Sequence, residues 1–256
     1  MKNIIKLSFL ALATAFLCIS CLDTSGYNGN DPSSADGSEI VTIVDGSYDT
    51  NYYVVFDNGK KAYVTENKAA QSITFPTTPE QMKGEVRKLI YFNYENTTRE
   101  GYDLCISIVG MSDINASLLK DISNEDFNTN LDAYTAPIDI QAAWLSKMYN
   151  YLTLKMNILR SDQENFTHSI TLIHNKERKG AFKDVYASIT DVDSYLWLEL
   201  YHNSDTDSEL YSEPLYATCK IDTESLGMKD ISQYKGIKIV HQAIDTRQTN
   251  IYTITF

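Results

Sequence analysis

Tyr52-Tyr-Val-Val-Phe56, Asp57-Asn-Gly-Lys-Lys61, Ala62-Tyr-Val-Thr65: an apolar run, a polar turn and a second apolar run follow one another without a break. Asn58-Gly59 tolerates the positive φ that tight hairpin turns demand, so the stretch predicts two antiparallel strands. The same period-two alternation continues on both sides of it, the mark of half-buried strands. Glu39–Val44 precedes the hairpin. Val86-Arg-Lys-Leu-Ile-Tyr-Phe-Asn-Tyr94 and Tyr102-Asp-Leu-Cys-Ile-Ser-Ile-Val109 follow it, divided by polar Glu95–Gly101. Five strands within about 70 residues are the inventory of a small barrel of the OB type.

Beyond this point the pattern weakens. Met111–Asp132 is polar and predicts one or two short helices around Leu118–Ile122, and Ala136-Pro137 interrupts it. The expected boundary therefore separates a barrel domain, 39–133, from a second domain, 134–256. Tyr151–Ile158, Thr167–His174, Val185–Ile189, Tyr195–His202, Leu215–Ile221, Ile237–His241 and Ile251–Phe256 read as seven further strands. That number of short strands predicts an antiparallel β-sandwich. The fold class expected is all-β: a small OB-like barrel followed by a sandwich. In the run at 195–202, Leu196, Leu198 and Leu200 would face the core. Tyr195, Trp197, Glu199 and Tyr201 would share the opposite face.

The N-terminus carries a different kind of signal. Lys2 and Lys6 precede an apolar run, Leu7–Leu17, of about a dozen residues, too short for the ~20 needed to span a bilayer. Cys18-Ile-Ser-Cys21 closes it, with small Ser20 ahead of Cys21. Residues 1–20 read as a lipoprotein signal peptide and Cys21 as the lipidated residue. Triacylation would make the anchor permanent, since a single chain binds only marginally. Residues 21–38, rich in Gly, Ser, Asn and Asp, read as a flexible tether with a reach of roughly 20–25 Å. Leu22-Asp23 lacks Asp directly after the cysteine, which favours the outer membrane over inner-membrane retention.

Without Lys2 and Lys6 the chain keeps 20 of its 22 basic residues against 34 acidic ones, a net charge of −14. That argues against a nucleic-acid partner. Catalytic signatures are lacking: no Gly-x-Ser-x-Gly elbow, no His-Glu-x-x-His, no phosphate-binding glycine loop. His168, His174, His202 and His241 read as strand-end surface residues. His168 and His174 would lie about 20 Å apart on a straight strand, too far to share one metal. Asp205-Thr-Asp-Ser-Glu209 could offer calcium oxygens, but it lacks the glycine and distant glutamate of an EF-hand loop and reads as a hairpin tip. No metal and no cofactor are expected. Cys105 and Cys219, 114 residues apart, are expected as separate half-buried thiols. Tyr195, Trp197 and Tyr201 form the expected binding face, since Tyr and Trp are favoured at interfaces.

The order of these features resembles the NigD-like family of Bacteroidetes lipoproteins. The resemblance rests on the lipobox at Cys21, on Asp57-Asn-Gly59, and on Gly84-Glu-Val-Arg87 with Gly101-Tyr-Asp-Leu104. Pro137-Ile-Asp-Ile-Gln-Ala-Ala-Trp144 and Tyr151-Leu-Thr-Leu154 complete it. It covers essentially the whole mature chain. It implies an OB-like domain followed by a β-sandwich, brings no catalytic motif, and associates the family with bacteriocin immunity. The expected function is non-enzymatic: a lipid-anchored envelope protein that binds a protein or glycan outside the cytoplasm, with immunity as one specific version. The alternatives are an extracytoplasmic hydrolase with an unmarked carboxylate site and an accessory subunit of an envelope complex.

Overall fold

The computed structural model describes residues 34–46, 52–69, 71–79, 82–121, 134–161, 168–178, 180–187, 189, 192–205, 207–228 and 230–256. The expected signal peptide, Cys21 and the tether up to residue 33 lie outside the described residues. β1 (Gly37–Asp45), β2 (Tyr52–Phe56), β3 (Lys61–Asn67), β4 (Glu85–Tyr94) and β5 (Leu104–Asp113) close into a barrel in the order β1-β2-β3-β5-β4. β1 and β4 pair antiparallel to close it, and β3 and β5 pair parallel. The β2–β3 turn forms as the sequence predicts. The Gly59 N–H donates to the Phe56 carbonyl at 2.8 Å, and Gly59 takes φ +91°. The third loop residue thus occupies the left-handed region that glycine enters without strain. Alternate residues fill the barrel, among them Val41, Ile43, Val54, Phe56, Ile90, Phe92, Ile106 and Ile108.

Two sheets form the rest: β14-β13-β11-β10-β7 and β6-β12-β9-β8. Their strands are β6 (Asn115–Leu118), β7 (Lys120–Asp121), β8 (Ile138–Leu145), β9 (Tyr151–Arg160), β10 (Ser169–His174), β11 (Leu196–Asn203), β12 (Tyr211–Lys220), β13 (Gly236–Gln242) and β14 (Thr249–Thr255). Leu152, Leu154, Met156 and Ile158 from β9 meet Leu196, Leu198 and Leu200 from β11 in the shared core, as their alternation predicts.

Four expectations change. The helices expected around Leu118 are instead the short strands β6 and β7. They pair parallel with β12 and β10 and bring Leu119 into the sandwich core. The chain therefore passes from barrel to sandwich between Asp113 and Asn115, well before residue 134. The sandwich is not wholly antiparallel either, because β11 and β13 pair parallel after β12 has crossed to the other sheet. The strand expected at Val185–Ile189 is a helical turn, α1 (Lys183–Tyr186). Phe182, Val185, Tyr186 and Ile189 follow the i, i+3, i+4, i+7 stripe of a helix and pack together. β8 adds a strand beyond those expected, its alternation hidden by a bulge between Ile140 and Ala142. Ile138 and Ile140 face the core before the bulge, Ala143 and Leu145 after it.

Candidate functional site

The motif residues Asp57, Glu85, Arg87, Trp144, Tyr151 and Thr153 converge on the junction between barrel and sandwich. Arg87 points out of β4, and its side chain has no solvent exposure. It forms a bidentate pair with Asp57 from the β2–β3 turn: Nη1 to Oδ1 at 2.6 Å and Nη2 to Oδ2 at 2.9 Å. Nη1 also donates to Thr42 on β1 at 3.0 Å and Nη2 to Thr153 on β9 at 2.9 Å, while Nε is buried without a partner among the described residues. The guanidinium carbon lies 4.9 Å from the Tyr151 ring centroid. From the sandwich side, Trp144 Nε1 donates to Asp57 Oδ2 at 2.7 Å, and the Lys147 N–H donates to the Asp57 carbonyl at 3.0 Å. Beside this pair, Glu85 accepts from Lys220 Nζ at 2.7 Å and from the Tyr151 hydroxyl at 2.9 Å. Burial and the Glu85 charge push the Tyr151 phenol pKa upward. Ile40, Leu89, Ile114, Trp144 and Tyr216 seal the flank. Both carboxylates of the junction spend their lone pairs on internal donors, so the arrangement is a latch between domains.

A second polar cluster lies at the other end of the sandwich and corrects the reading of surface histidines. His202 and His241 are fully buried. His168 Nδ1 sits 2.9 Å from His202 Nε2, and His168 Nε2 sits 3.0 Å from Asp207 Oδ2. His202 Nδ1 reaches the Pro137 carbonyl at 3.2 Å, and the Ser161 hydroxyl donates to Asp207. A carbonyl only accepts, so His202 Nδ1 must donate, which leaves its Nε2 as an acceptor. Burial pushes the His202 pKa down to about 4, helped by the nearby His168. Desolvation works to raise the Asp207 pKa, but hydrogen bonds from the Ser161 side chain and backbone and from His168 outweigh it and hold it at about 2. The order is serine–aspartate–histidine, with the hydroxyl bound to the carboxylate and not to an imidazole, so nothing here activates a serine nucleophile. Asp207 is thus internal to the fold, and Glu209 is engaged by Arg247. Among the described residues, no group of three His, Cys, Asp or Glu side chains could hold a metal ion.

The expected binding face at Tyr195, Trp197 and Tyr201 requires correction as well. These residues do share a side of β11, opposite Leu196, Leu198 and Leu200. However, Phe182 and Tyr186 of the α1 segment cover Trp197 and Tyr201, leaving them 3% and 1% exposed, while Tyr195 is half-buried under Lys238 Nζ at 4.3 Å from its ring centroid. Glu199 lies beneath the same cover. It accepts from Asn175 at 2.8 Å, Tyr186 at 2.6 Å and Tyr201 at 2.7 Å. The face is a second core, not an open surface. Cys105 and Cys219 are separate free thiols, and both are buried.

A half-buried aromatic cluster lies on the outside of the barrel. Tyr53 on β2, Tyr63 on β3 and Tyr102 in the β4–β5 loop stack edge to face, with centroids 6.2 Å apart for Tyr53–Tyr102 and 5.4 Å for Tyr63–Tyr102. Lys61 Nζ stands 4.3 Å from the Tyr53 ring centroid and 5.4 Å from that of Tyr102, and Arg99 lies 4.9 Å from that of Tyr63. The Tyr53 hydroxyl is 3.5 Å from that of Tyr149 in the β8–β9 turn, so the surface continues onto the sandwich. Its sequence signal is the outward-facing partner of the barrel alternation, Tyr53 and Tyr63 on either side of the Asn58-Gly59 turn.

An OB-type barrel latched to a β-sandwich of nine described strands defines a two-domain all-β protein with a half-buried aromatic cluster on the outside of the barrel. The model of the NigD-like C-terminal beta sandwich domain matches residues 120–256, more than half of the sequence. The chain belongs to the NigD-like family. Solved structures share both domains. A Bacteroides vulgatus protein of unknown function is 19% identical and superposes with a TM-score of 0.60, over 86% of this chain and 90% of its own. A NigD-like immunity protein from Bacteroides caccae is 17% identical with a TM-score of 0.58, over 84% and 91%. A Bacteroides fragilis protein described as a lipoprotein is 13% identical with a TM-score of 0.53, over 86% and 97%. No curated protein matches the sequence.

Proposed function

We propose that this chain is a non-enzymatic binding protein of the cell envelope, held at the outer membrane by lipid on Cys21, that meets its partner through the outside of the barrel. One observation carries the reading. The carboxylates of the latch and the imidazoles of the His168–His202 cluster are engaged with internal partners, while Tyr53, Lys61, Tyr63 and Tyr102 are half-buried on the outside of the barrel beside exposed Arg99. The lipobox at Cys21 supports this location, as does the likeness to the Bacteroides fragilis structure described as a lipoprotein. Bacteriocin immunity is the specific version favoured by the likeness to the Bacteroides caccae immunity protein.

Fractionation tests the anchor: Cys21→Ser should move the protein from the membrane to the soluble fraction, and continued membrane partitioning would remove the lipid from the reading. A crosslinking pull-down from envelope extract tests the surface: Tyr53→Ala with Tyr102→Ala should lose the partner that the wild type retains. Deletion of the gene should sensitise the cell to a sibling strain's toxin. Unchanged sensitivity across a broad toxin panel would end the immunity version.

A further inference from the structure

The geometry points to the Tyr53–Lys61–Tyr63–Arg99–Tyr102 surface as a site for an anionic saccharide, which rests on the binding role proposed above and gives it a ligand class. Place comes first. The residues lie on β2, β3 and the β4–β5 loop, the side from which OB-type barrels take oligonucleotides and oligosaccharides. Charge then separates those two ligands. A single-stranded nucleic acid needs a long basic groove along its backbone, and a chain with 34 acidic and 22 basic residues offers two cations here.

Those two cations share one cluster of three tyrosines, which sets them apart from other lysines without an ion pair among the described residues, such as Lys155 and Lys238. Among the described residues, neither Lys61 nor Arg99 lies within ion-pair distance of a carboxylate. The nearest acid on the loop, Asp103, takes the Lys61 backbone N–H at 2.8 Å, not its ammonium. Each cation rests instead on tyrosine rings, whose negative faces hold it without neutralising it. The ammonium and guanidinium therefore remain available to an incoming anion. Tyr63 and Tyr102 have no hydrogen-bond partner for their hydroxyls among the described residues, so phenolic donors and acceptors flank the cations. Fixed cations, rigid rings and free hydroxyls suit a sugar ring that carries a carboxylate, sulfate or phosphate among hydroxyl groups. The latch adds preorganisation, because Tyr149 from the sandwich abuts Tyr53.

The experiment uses the full chain purified in detergent. Titrations by calorimetry employ hexagalacturonate, a sulfated oligosaccharide of similar length, neutral maltohexaose and a poly-aspartate peptide. At least one anionic oligosaccharide should bind and weaken with added salt, while maltohexaose and poly-aspartate should not. Lys61→Ala and Tyr102→Ala should each reduce the affinity about tenfold, the effect of one lost cation or aromatic anchor. Lys61→Arg should retain most of it. Thermal melts of the variants matching the wild type would establish that folding is intact. Binding of poly-aspartate alone would overturn the saccharide in favour of an acidic peptide, and binding of none of the four would overturn it outright. Loss of the envelope partner by Tyr53→Ala with Tyr102→Ala, alongside absent sugar binding, would remove the ligand class while leaving the binding role standing.

Discussion

Replacing Asp57 with alanine should be among the most damaging single changes at the junction. The substitution strips Arg87 of both carboxylate bonds and leaves a guanidinium with no solvent exposure. Two threonine hydroxyls and the Tyr151 ring would remain around it. Breaking a buried pair from one side costs about 3–5 kcal/mol, mostly because the surviving charge stays desolvated. The remaining contacts place this case near 3 kcal/mol, and Trp144 also loses its acceptor. For a protein of this size that corresponds to a fall in melting temperature of roughly 6–12 °C. Urea titration followed by tryptophan fluorescence measures it well, because Trp144 reports on the junction and Trp197 on the sandwich. In a Trp197→Phe background the Trp144 signal of Asp57→Ala should move first. Arg87→Met alone should cost a similar amount, while the double variant should cost less than the sum, with a coupling of about 2 kcal/mol. If Asp57→Ala costs under about 1 kcal/mol, or if the two single costs simply add, the junction does not depend on this pair and the latch argument fails.

Three further outcomes follow from packing and protonation. His202 is held neutral by burial, with a pKa of about 4 against 6.5 unfolded, so the folded state binds fewer protons in that window. Stability should fall as pH drops from 6.5 to 4, by about 3 kcal/mol at the limit, and the loss of Asp207 ionisation should extend the decline from 3.8 towards 2. Urea midpoints measured across this range check it, and a flat profile between pH 6.5 and 4 would contradict it. Gly236→Ala should loosen β14, because an added Cβ would stand 1.9 Å from the Ile254 carbonyl oxygen on the paired strand. Faster amide exchange in β13 and β14, with the barrel unchanged, is the expected signature. Burial pushes the Cys219 thiol up to about 12, so it should resist alkylation at pH 8 in the native protein and react readily in urea. Rapid native labelling at Cys219 would show that the sheets open there.

The barrel was legible because its first hairpin announces itself, and the register shifts at Val64/Glu66 and Tyr91/Phe92 fall inside runs apolar enough to read as strands in either phase. β2 begins and ends where the Tyr52–Phe56 run does, and Gly59 turns the chain as Asn58-Gly59 predicts. Legibility failed wherever two periods competed. β8 alternates in two phases joined at a bulge, and no single window registers both. Phe182–Ile189 contains a two-residue alternation nested inside a helical stripe, and contact with Trp197 and Tyr201 selects the stripe. That contact also explains the misplaced binding face. Alternation shows that Trp197 and Tyr201 point away from the first core, but it contains nothing about what packs over the second side. The His168–His202–Asp207 cluster was invisible for a related reason: its members come from two separate parts of the chain, at 168 and at 202–207, and meet only when β10 pairs with β11.

The latch bears on how two small domains come to offer one surface. An apolar seam alone, here Ile40, Leu89 and Ile114 against Trp144 and Tyr216, fixes an area of contact but tolerates sliding. A bidentate guanidinium–carboxylate pair does not, because two parallel hydrogen bonds specify an orientation as well as a distance. Asp57 sits in the same turn that sets β2 against β3, and it holds Trp144 and the Lys147 amide through its other acceptors. Tyr149, two residues beyond Lys147, is thereby brought to Tyr53. The pair that joins the domains therefore also aligns the outer tyrosines across them. Partner or saccharide binding at Tyr53 should then weaken in Arg87→Met even at temperatures where both domains remain folded. Undiminished binding in that variant would show that the barrel carries the site by itself and that the latch serves stability alone.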